Sequence, residues 1–287
     1  MENNIRYIDA ETVSSAVAEL FVRAVTVLPE HVERDLNDAA SRESSKTGRE
    51  VLRVITENVA VARECDVPIC QDTGMAVVFA KIGCDVHVTG KSFDEAVNEG
   101  VRRAYVDGLL RLSVVSDPLY DRRNTGDNTP AVIHTEYASD EEYRDKIVIT
   151  AAPKGFGSEN MSALRMMTPA ATEDDVVDFV VSAVRKAGAN PCPPIYVGVG
   201  IGGDFELCAL LSKKALLRDG PSADQRYARL EERIRDEVNR LGVGPQGFGG
   251  DVTCLGVYAE YAPTHIAGLP VAVNINCHVA RHATAVI

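Results

Sequence analysis

The sequence lacks both an excess of positive charge and a long apolar run. Its formal net charge is −12, which argues against nucleic acid or an anionic membrane surface as a partner. It has no uninterrupted stretch of about 18 apolar residues, the length at which a membrane-spanning helix becomes a candidate, and residues 1–4 do not resemble the start of a signal peptide. We therefore expect a cytoplasmic protein with no nucleic-acid or membrane partner. An anionic substrate would need a local cluster of cations.

Closely spaced cysteine pairs are also missing. The chain has 7 cysteines, an odd number, and no two of them form a CxxC motif. In the reducing compartment that we expect, such cysteines do not form a disulfide framework. They are therefore core residues, metal ligands or nucleophiles, and the sequence around each one has to separate these roles.

Apolar periodicity predicts an α+β fold with a helical N-terminal part. Helical spacing of apolar residues predicts helices over residues 10–64, within a helical N-terminal part of about 1–66, and Pro29 ends the first helix. From residue 75 onward, short apolar runs alternate with helical segments, which predicts a mixed β-sheet. With 45% hydrophobic residues among 287, the chain can bury a large core. We expect one domain, residues 1–287, in which an N-terminal helical layer packs on a mixed sheet in a single compact unit.

A short polar turn separates the helical part from the first predicted strand. It comprises residues 68–74, Pro-Ile-Cys-Gln-Asp-Thr-Gly. Pro68 disfavours helical angles for the residue before it, so the preceding helix has to end there. Gly74 permits backbone angles that a Cβ would forbid. Taken alone, the turn is compatible either with an Asx-type cap beside a buried cysteine or with a functional site.

Two other stretches are rich in turn-forming residues. Residues 117–130 form a long polar loop, and such loops in compact chains are often functional. Residues 198–203 contain G-x-G-x-x-G between a predicted strand and a predicted helix, which raises the question of a dinucleotide site. We disfavour that interpretation, because a Rossmann unit requires a second parallel strand that ends in an acidic residue about 20 positions later. Here that position falls at the end of a helix.

The cysteines divide into two groups by sequence context. Four lie in or at the edges of periodic apolar elements and are expected to be small buried core residues: Cys65, Cys84, Cys208 and Cys254. Three lie in or beside irregular turns, where a thiolate can face a cleft: Cys70, Cys192 and Cys277. Spacing alone is weak support for a metal site shared by these three, since zinc usually takes a fourth ligand at close spacing. Three thiolates without an evident fourth ligand suit a cubane cluster with one iron left open.

Several motifs occur together in one order along the chain. They are residues 69–74, 153–160, 192–194, 200–203 with the helix that follows, and 263–278. Together they resemble the iron–sulfur-dependent class I fumarases and L-tartrate dehydratases, in particular their α subunit or the N-terminal domain of the single-chain forms. The resemblance implies an oxygen-sensitive 4Fe–4S cluster held by Cys70, Cys192 and Cys277.

The same resemblance assigns the other site residues. It implies that the substrate is bound by Gln71, Asp72, Arg111, Gly155, Gly157 and His265. Asp72 would also be catalytic, relaying a proton to or from a threonine of a second module. Without the resemblance, Asp72 is a turn cap and Arg111 a surface cation. Lys154 and Arg281 adjoin the motifs without a role that we can assign.

The expected activity follows from the family. The resemblance implies reversible hydration of fumarate to L-malate, a step of the tricarboxylic acid cycle, in which the open iron acts as a Lewis acid. It also implies a β subunit that supplies the catalytic threonine and further substrate-binding Arg and Lys, so we expect this chain to be half of an enzyme in an α2β2 assembly. Two alternatives stay open: an L-tartrate dehydratase α subunit, and an iron–sulfur scaffold without catalysis of its own.

Overall fold

The computed structural model describes residues 5–287 and divides them into two compact units of discontinuous chain. Unit 1 contains the described residues up to Pro29, Val61–Lys154 and Arg281–Ile287, and unit 2 contains Glu30–Ala60 and Gly155–Ala280. The N-terminal residues 1–4, on which the expectation about a signal peptide rests, lie outside the described residues.

The helices are α1 Ala10–Thr26, α2 Glu30–Arg42, α3 Lys46–Cys65, α4 Phe93–Val106, α5 Phe156–Glu159, α6 Glu173–Ala187, α7 Phe205–Ala215 and α8 Gln225–Asn239. The strands are β1 Arg6–Asp9, β2 Val77–Gly83, β3 Val86–Thr89, β4 Val132–Ala138, β5 Ile147–Ala151, β6 Ala163–Met167, β7 Ile195–Gly202, β8 Cys254–Ala262, β9 Leu269–Asn276 and β10 Ala283–Val286.

Unit 1 is built on a four-stranded mixed sheet in the order β10-β5-β2-β4. The central strand β2 runs parallel to β4 and antiparallel to β5, and β10 runs antiparallel to β5 at the edge. Helices α1 and α4 bury their apolar stripes in the same core as this sheet. They approach closely because Gly100 of α4 has no side chain: a Cβ there would lie 2.5 Å from the Ser14 carbonyl oxygen. This core supports the polar turn at residues 68–74, which precedes β2.

Unit 2 contains a second mixed sheet, in the order β6-β9-β7-β8. Strand β7 is buried along its whole length and runs parallel to β8 and antiparallel to β9. Helix α7 packs directly on β7 at Gly198 and Gly200, where a Cβ would lie 2.0 Å from the carbonyl oxygens of Ser212 and Cys208 respectively. These two glycines of the G-x-G-x-x-G stretch therefore serve helix–strand packing, which explains the motif without a dinucleotide.

Residues 10–42 are long and apolar enough to pass a composition test for a membrane-spanning helix. The helix is interrupted between α1 and α2, however, and α1 buries Val13, Val17 and Phe21 in the core of unit 1. The apolar character of α1 is thus accounted for by the core that it helps to form, as in core helices that pass the same test.

The predicted α+β class is confirmed, and the three N-terminal helices lie where apolar periodicity predicts them. Strands β2 and β3 are consecutive in the sequence but have different partners: β3 pairs with β1, whereas β2 pairs with β4 and β5. Strands β1, β6 and β10 have only four or five residues each, too few to give a periodic signal in the sequence. The expectation of one domain over residues 1–287 stays a prediction.

Candidate functional site

The turn that follows Cys70 is held in a conformation that requires glycine at its end. Gly74 has φ +82°, and a Cβ at this position would lie 2.8 Å from the backbone N and C atoms of Lys154. The next residue, Met75, exchanges two backbone hydrogen bonds of 2.9 Å with Lys154. The turn is therefore pressed against the chain that leaves β5, and its backbone has little freedom.

Two buried side chains brace the same turn from the other side. The hydroxyl of Tyr105, on α4, donates to the carbonyl oxygens of Thr73 and Gly74, each at 3.0 Å. The amide of Asn128 donates to the Gly74 carbonyl at 3.2 Å and accepts from the backbone N of Ser113 at 2.7 Å. Burial raises the pKa of Tyr105, which keeps the hydroxyl protonated as a donor. Asn128 is fully buried with φ +61°, so the end of the polar loop at 117–130 acts as a support for the turn.

Thr73 fixes the backbone of Arg111 beside the turn. Its Oγ1 accepts from the backbone N of Arg111 at 3.0 Å and donates to the Arg111 carbonyl at 3.3 Å. The side chains of Arg111 and Gln71 are exposed. Unit 1 thus brings together four of the predicted site residues, Cys70, Gln71, Asp72 and Arg111, with an accessible cation and an accessible amide among them.

Asp72 takes part in both the structural and the potentially functional features of the turn. One carboxylate oxygen, Oδ1, accepts from the backbone N of Gly74 at 3.0 Å, so the Asx-type cap considered from the sequence is present. The carboxylate is nevertheless partly exposed, and the cap fixes its direction. A carboxylate can accept a proton on either of its oxygens.

Arg281 reaches the same turn from the C-terminal segment. It is only 5% exposed, and its Nη2 donates to the backbone carbonyl of Asp72. Its Nε and Nη1 are buried and have no hydrogen-bond partner among the described residues. The sequence marks Arg281 only by its position four residues after Cys277.

In unit 2, a direct hydrogen bond joins the segments that carry Cys192 and Cys277. Nδ1 of His278 lies 3.0 Å from the carbonyl oxygen of Cys192, to which it donates. Gln246, in the glycine-rich loop at residues 242–250, donates from its backbone N at 2.7 Å and from its Nε2 at 2.8 Å to the carbonyl of Pro193. Cys192 itself has φ +56°, a backbone conformation uncommon for a residue with a side chain. Unit 2 therefore brings together the turns of two of the three predicted ligands.

The turn of Gly155 and Gly157 adjoins the Cys192 turn, whereas His265 lies on a different loop of unit 2. Gly155 is the N-cap of α5, and a Cβ on Gly157 would lie 3.6 Å from the carbonyl of Asn190, an ordinary contact that does not require glycine. His265 is exposed, and its Nδ1 accepts from the backbone N of Ala267 at 3.1 Å. The neutral ring therefore carries its proton on Nε2, where it could be donated to a ligand.

The environments of the cysteines separate them further. None of the seven, all of which lie within residues 5–287, forms a disulfide bond. Cys208 and Cys254 are buried, and burial raises their pKa to about 11 and about 12, so they are inert core thiols as expected. The expectation of burial is wrong for Cys65 and Cys84, which are both exposed, because Cys65 ends α3 and Cys84 follows β2 in a turn.

The thiols of the three turn cysteines are of the donor type that an iron–sulfur cluster takes. Within residues 5–287, no group of three or more His, Cys, Asp or Glu side chains is gathered closely enough to hold a metal ion. A cubane cluster distributes its thiolates over several irons, so it does not require ligands gathered around one atom. Cys70 and Cys277 are partly exposed and Cys192 is exposed, each outside the regular elements, as ligands to an inserted cluster need to be.

Several supporting residues escaped prediction from the sequence. They are Tyr105, Asn128, Gln246 and His278. His278 and Asn128 lie in segments that the sequence identifies as unusual, residues 263–278 and 117–130. Their polar side chains could therefore have been proposed as hydrogen-bonding supports. Tyr105 and Gln246 act on turns far away in sequence, and nothing in their own surroundings identifies them.

Comparisons with known proteins agree along almost the whole chain. The sequence model described as "Fumarate hydratase (Fumerase)" matches residues 14–286. The "Putative L(+)-tartrate dehydratase subunit alpha" of Methanocaldococcus jannaschii is 41% identical over 276 residues, covering 94% of this chain and 96% of the relative. The "L(+)-tartrate dehydratase subunit alpha" of Escherichia coli K12 is 31% identical over 273 residues, covering 94% and 89%. That of Escherichia coli O157:H7 is 30% identical over the same length, with the same coverage.

Proposed function

The chain belongs to the fumarate hydratase (Fumerase) family, and from that premise we propose that it is the α subunit of an iron–sulfur hydro-lyase that dehydrates L(+)-tartrate. The observation that carries the choice of substrate is the near-complete match to relatives whose names specify L(+)-tartrate dehydratase subunit alpha. Hydration of fumarate is the second candidate, because the description of the matching family names that reaction.

The three turn cysteines would hold a 4Fe–4S cluster. Cys70, Cys192 and Cys277 would be its protein ligands. When bound, the cluster would supply a Lewis-acidic iron to the substrate's hydroxyl and carboxylate oxygens. An open iron of this kind reacts with oxygen, so the assembled enzyme is expected to be oxygen-sensitive.

The residues of the turn would bind and orient the diacid. Arg111 has its backbone fixed by Thr73 and its guanidinium exposed, so it can reach a carboxylate without losing its anchor. The exposed amide of Gln71 adds a neutral donor beside it. These local groups allow an anion to bind to a protein whose net charge is −12. The α5 turn with Gly155 and Gly157, and Nε2–H of His265, would contribute further donors.

Asp72 would move the proton. Dehydration removes hydroxide from one carbon and a proton from its neighbour, and the second step requires a positioned base. The Gly74 N–H orients the carboxylate through Oδ1, and the carboxylate would accept the proton or pass it to a group of the second subunit. The names of the relatives include "subunit alpha", which supports a β subunit as the partner of this chain. We expect the pair to form α2β2, because soluble oligomers favour two-fold symmetry.

The test is anaerobic co-expression of the chain with its cognate β subunit, followed by assays on L(+)-tartrate, L-malate and fumarate. We expect a cluster, and a kcat/KM for tartrate that exceeds the value for malate by about tenfold or more, since a site that hydrogen-bonds a substrate hydroxyl rejects an analogue that lacks it. A preference for malate and fumarate would favour the second candidate. A cluster-loaded complex that converts none of the three would indicate the scaffold instead.

A further inference from the structure

Arg281 is a buried cation whose hydrogen bonding is incomplete. Its guanidinium has one described partner, the carbonyl oxygen of Asp72, which it meets through Nη2. Its Nε and Nη1 are inaccessible to solvent and have no partner among the described residues. Taking a charge out of water is costly unless the charge is paired and its donors are satisfied. A folded protein that retains such an arginine is expected to supply the missing negative partner.

The missing partner is better explained by a resident group than by an exchanging substrate. A substrate carboxylate enters through solvent, so the donors that receive it have to be reachable when the site is empty. The exposed side chains of Arg111 and Gln71 meet this condition, whereas Nε and Nη1 of Arg281 do not. A cofactor that is inserted once and then remains has no such requirement.

We propose that Arg281 is a positioning residue for the iron–sulfur cluster. Through Nη2 it holds the backbone of the turn that carries Cys70, two residues before Asp72. Its positive charge would balance part of the net negative charge that three thiolates bring to the cluster. This inference rests on the proposed function only in requiring a cluster; it does not depend on which diacid the enzyme dehydrates.

Two consequences can be measured apart from activity. Removing a residue that hydrogen-bonds to the groups around a metal ligand lowers metal affinity by about 10- to 100-fold. A variant without the guanidinium is therefore expected to lose its cluster faster by a factor in that range. A nearby positive charge also favours the reduced cluster, because hydrogen bonds and charge around the sulfurs set its potential. Removing the charge is expected to shift the midpoint potential to a more negative value.

The experiment uses the anaerobically purified αβ complex and two substitutions, Arg281→Met and Arg281→Lys. Iron and sulfide content, the rate of cluster loss to a chelator, and the midpoint potential are measured for each. The thermal midpoint of the cluster-free complex is measured in parallel. Met removes the charge at a similar side-chain length, whereas Lys keeps the charge and loses the fork of donors. We expect cluster retention in the order wild type, Lys, Met, and a potential that falls mainly in the Met variant.

Arg218→Met is the matched control. Arg218 in unit 2 is also largely buried, but its Nη1 and Nη2 donate to Glu231 and to the carbonyls of Ala259 and Gly220. Its loss is expected to lower the thermal midpoint with and without the cluster while leaving the potential unchanged. Because a purely structural role of Arg281 would behave in the same way, the comparison distinguishes destabilisation from an effect on the cluster.

The possible results separate this inference from the proposed function. If the Arg281→Met complex binds the cluster with the retention and potential of wild type, the inference is overturned and the proposed function stands. If the loss of retention is matched by an equal loss of stability in the cluster-free complex, with the potential unchanged, Arg281 is a structural residue only and the inference again fails. A wild-type complex that binds no cluster at all refutes the proposed function itself.

Discussion

Replacing Tyr105 by phenylalanine should loosen the turn that carries Cys70 without creating a cavity. The substitution removes one hydroxyl, which donates at 3.0 Å to the carbonyls of Thr73 and Gly74. Gly74 keeps a second donor, the amide of Asn128, so the main loss falls on the Thr73 carbonyl. Leaving a buried acceptor unsatisfied costs about 1–3 kcal/mol. For a chain of this size, about 1 kcal/mol corresponds to a shift of about 2–4 °C in Tm, so we expect Tm to fall by roughly 2–12 °C.

The assay is thermal unfolding followed by circular dichroism, with and without a reconstituted cluster. Because the affected turn carries Cys70, the rate of cluster loss should also rise, whereas the exposed Tyr137→Phe should change neither quantity. The double variant with Asn128→Ala tests the bracing directly. Since both side chains donate to the Gly74 carbonyl, the combined loss should exceed the sum of the single losses. A Tyr105→Phe protein with the Tm and cluster retention of wild type would refute the bracing role.

Three further predictions follow from the site and the fold. Cys70→Ser should abolish the full cluster as judged by iron and sulfide analysis, whereas Cys84→Ser should retain it; the reverse pattern would refute the ligand assignment. Asp72→Asn should keep the cluster but lower kcat by about 100-fold or more, since a positioned base contributes at least that much, and unchanged turnover would exclude Asp72 as the base. Gly200→Ala should prevent stable folding, because its Cβ would lie 2.0 Å from a carbonyl oxygen, whereas Gly157→Ala should leave Tm within about 2 °C of wild type.

Local patterns in the sequence predicted the fold class, but they could not predict close contacts between distant elements. The G-x-G-x-x-G stretch shows the difference. Its glycines are explained by the approach of α7 to β7, where Gly198 and Gly200 leave no room for a Cβ. A phosphate-binding loop and a tight helix–strand contact both require glycine, so the motif alone cannot separate them. The more informative signal was that the position about 20 residues later falls at the end of a helix and not at the end of a second parallel strand.

The candidate site shows the same limit. The polar turn at 68–74 was identifiable because proline, glycine and three polar residues stand together in sequence. Arg281 was not, because its partner Asp72 is 209 positions away and nothing near either residue indicates the pairing. The errors at Cys65 and Cys84 arose at element ends, where apolar periodicity stops predicting burial. Chemistry confined to one segment is therefore predictable, whereas support from distant segments is not.

Unit 1 is built from discontinuous segments, and its last segment, Arg281–Ile287, is synthesised at the end. Its sheet is completed by β10, which pairs with β5, and the turn of Cys70 receives the hydrogen bond of Arg281, so both depend on residues 281–287. These residues leave the ribosome after all of unit 2 has been made. The Cys70 turn is therefore only partly supported while about two hundred further residues are synthesised. A ribosome stalled near residue 280 would hold a chain that contains every proposed cysteine ligand but lacks the edge strand and the buried cation that hold the first of them in place.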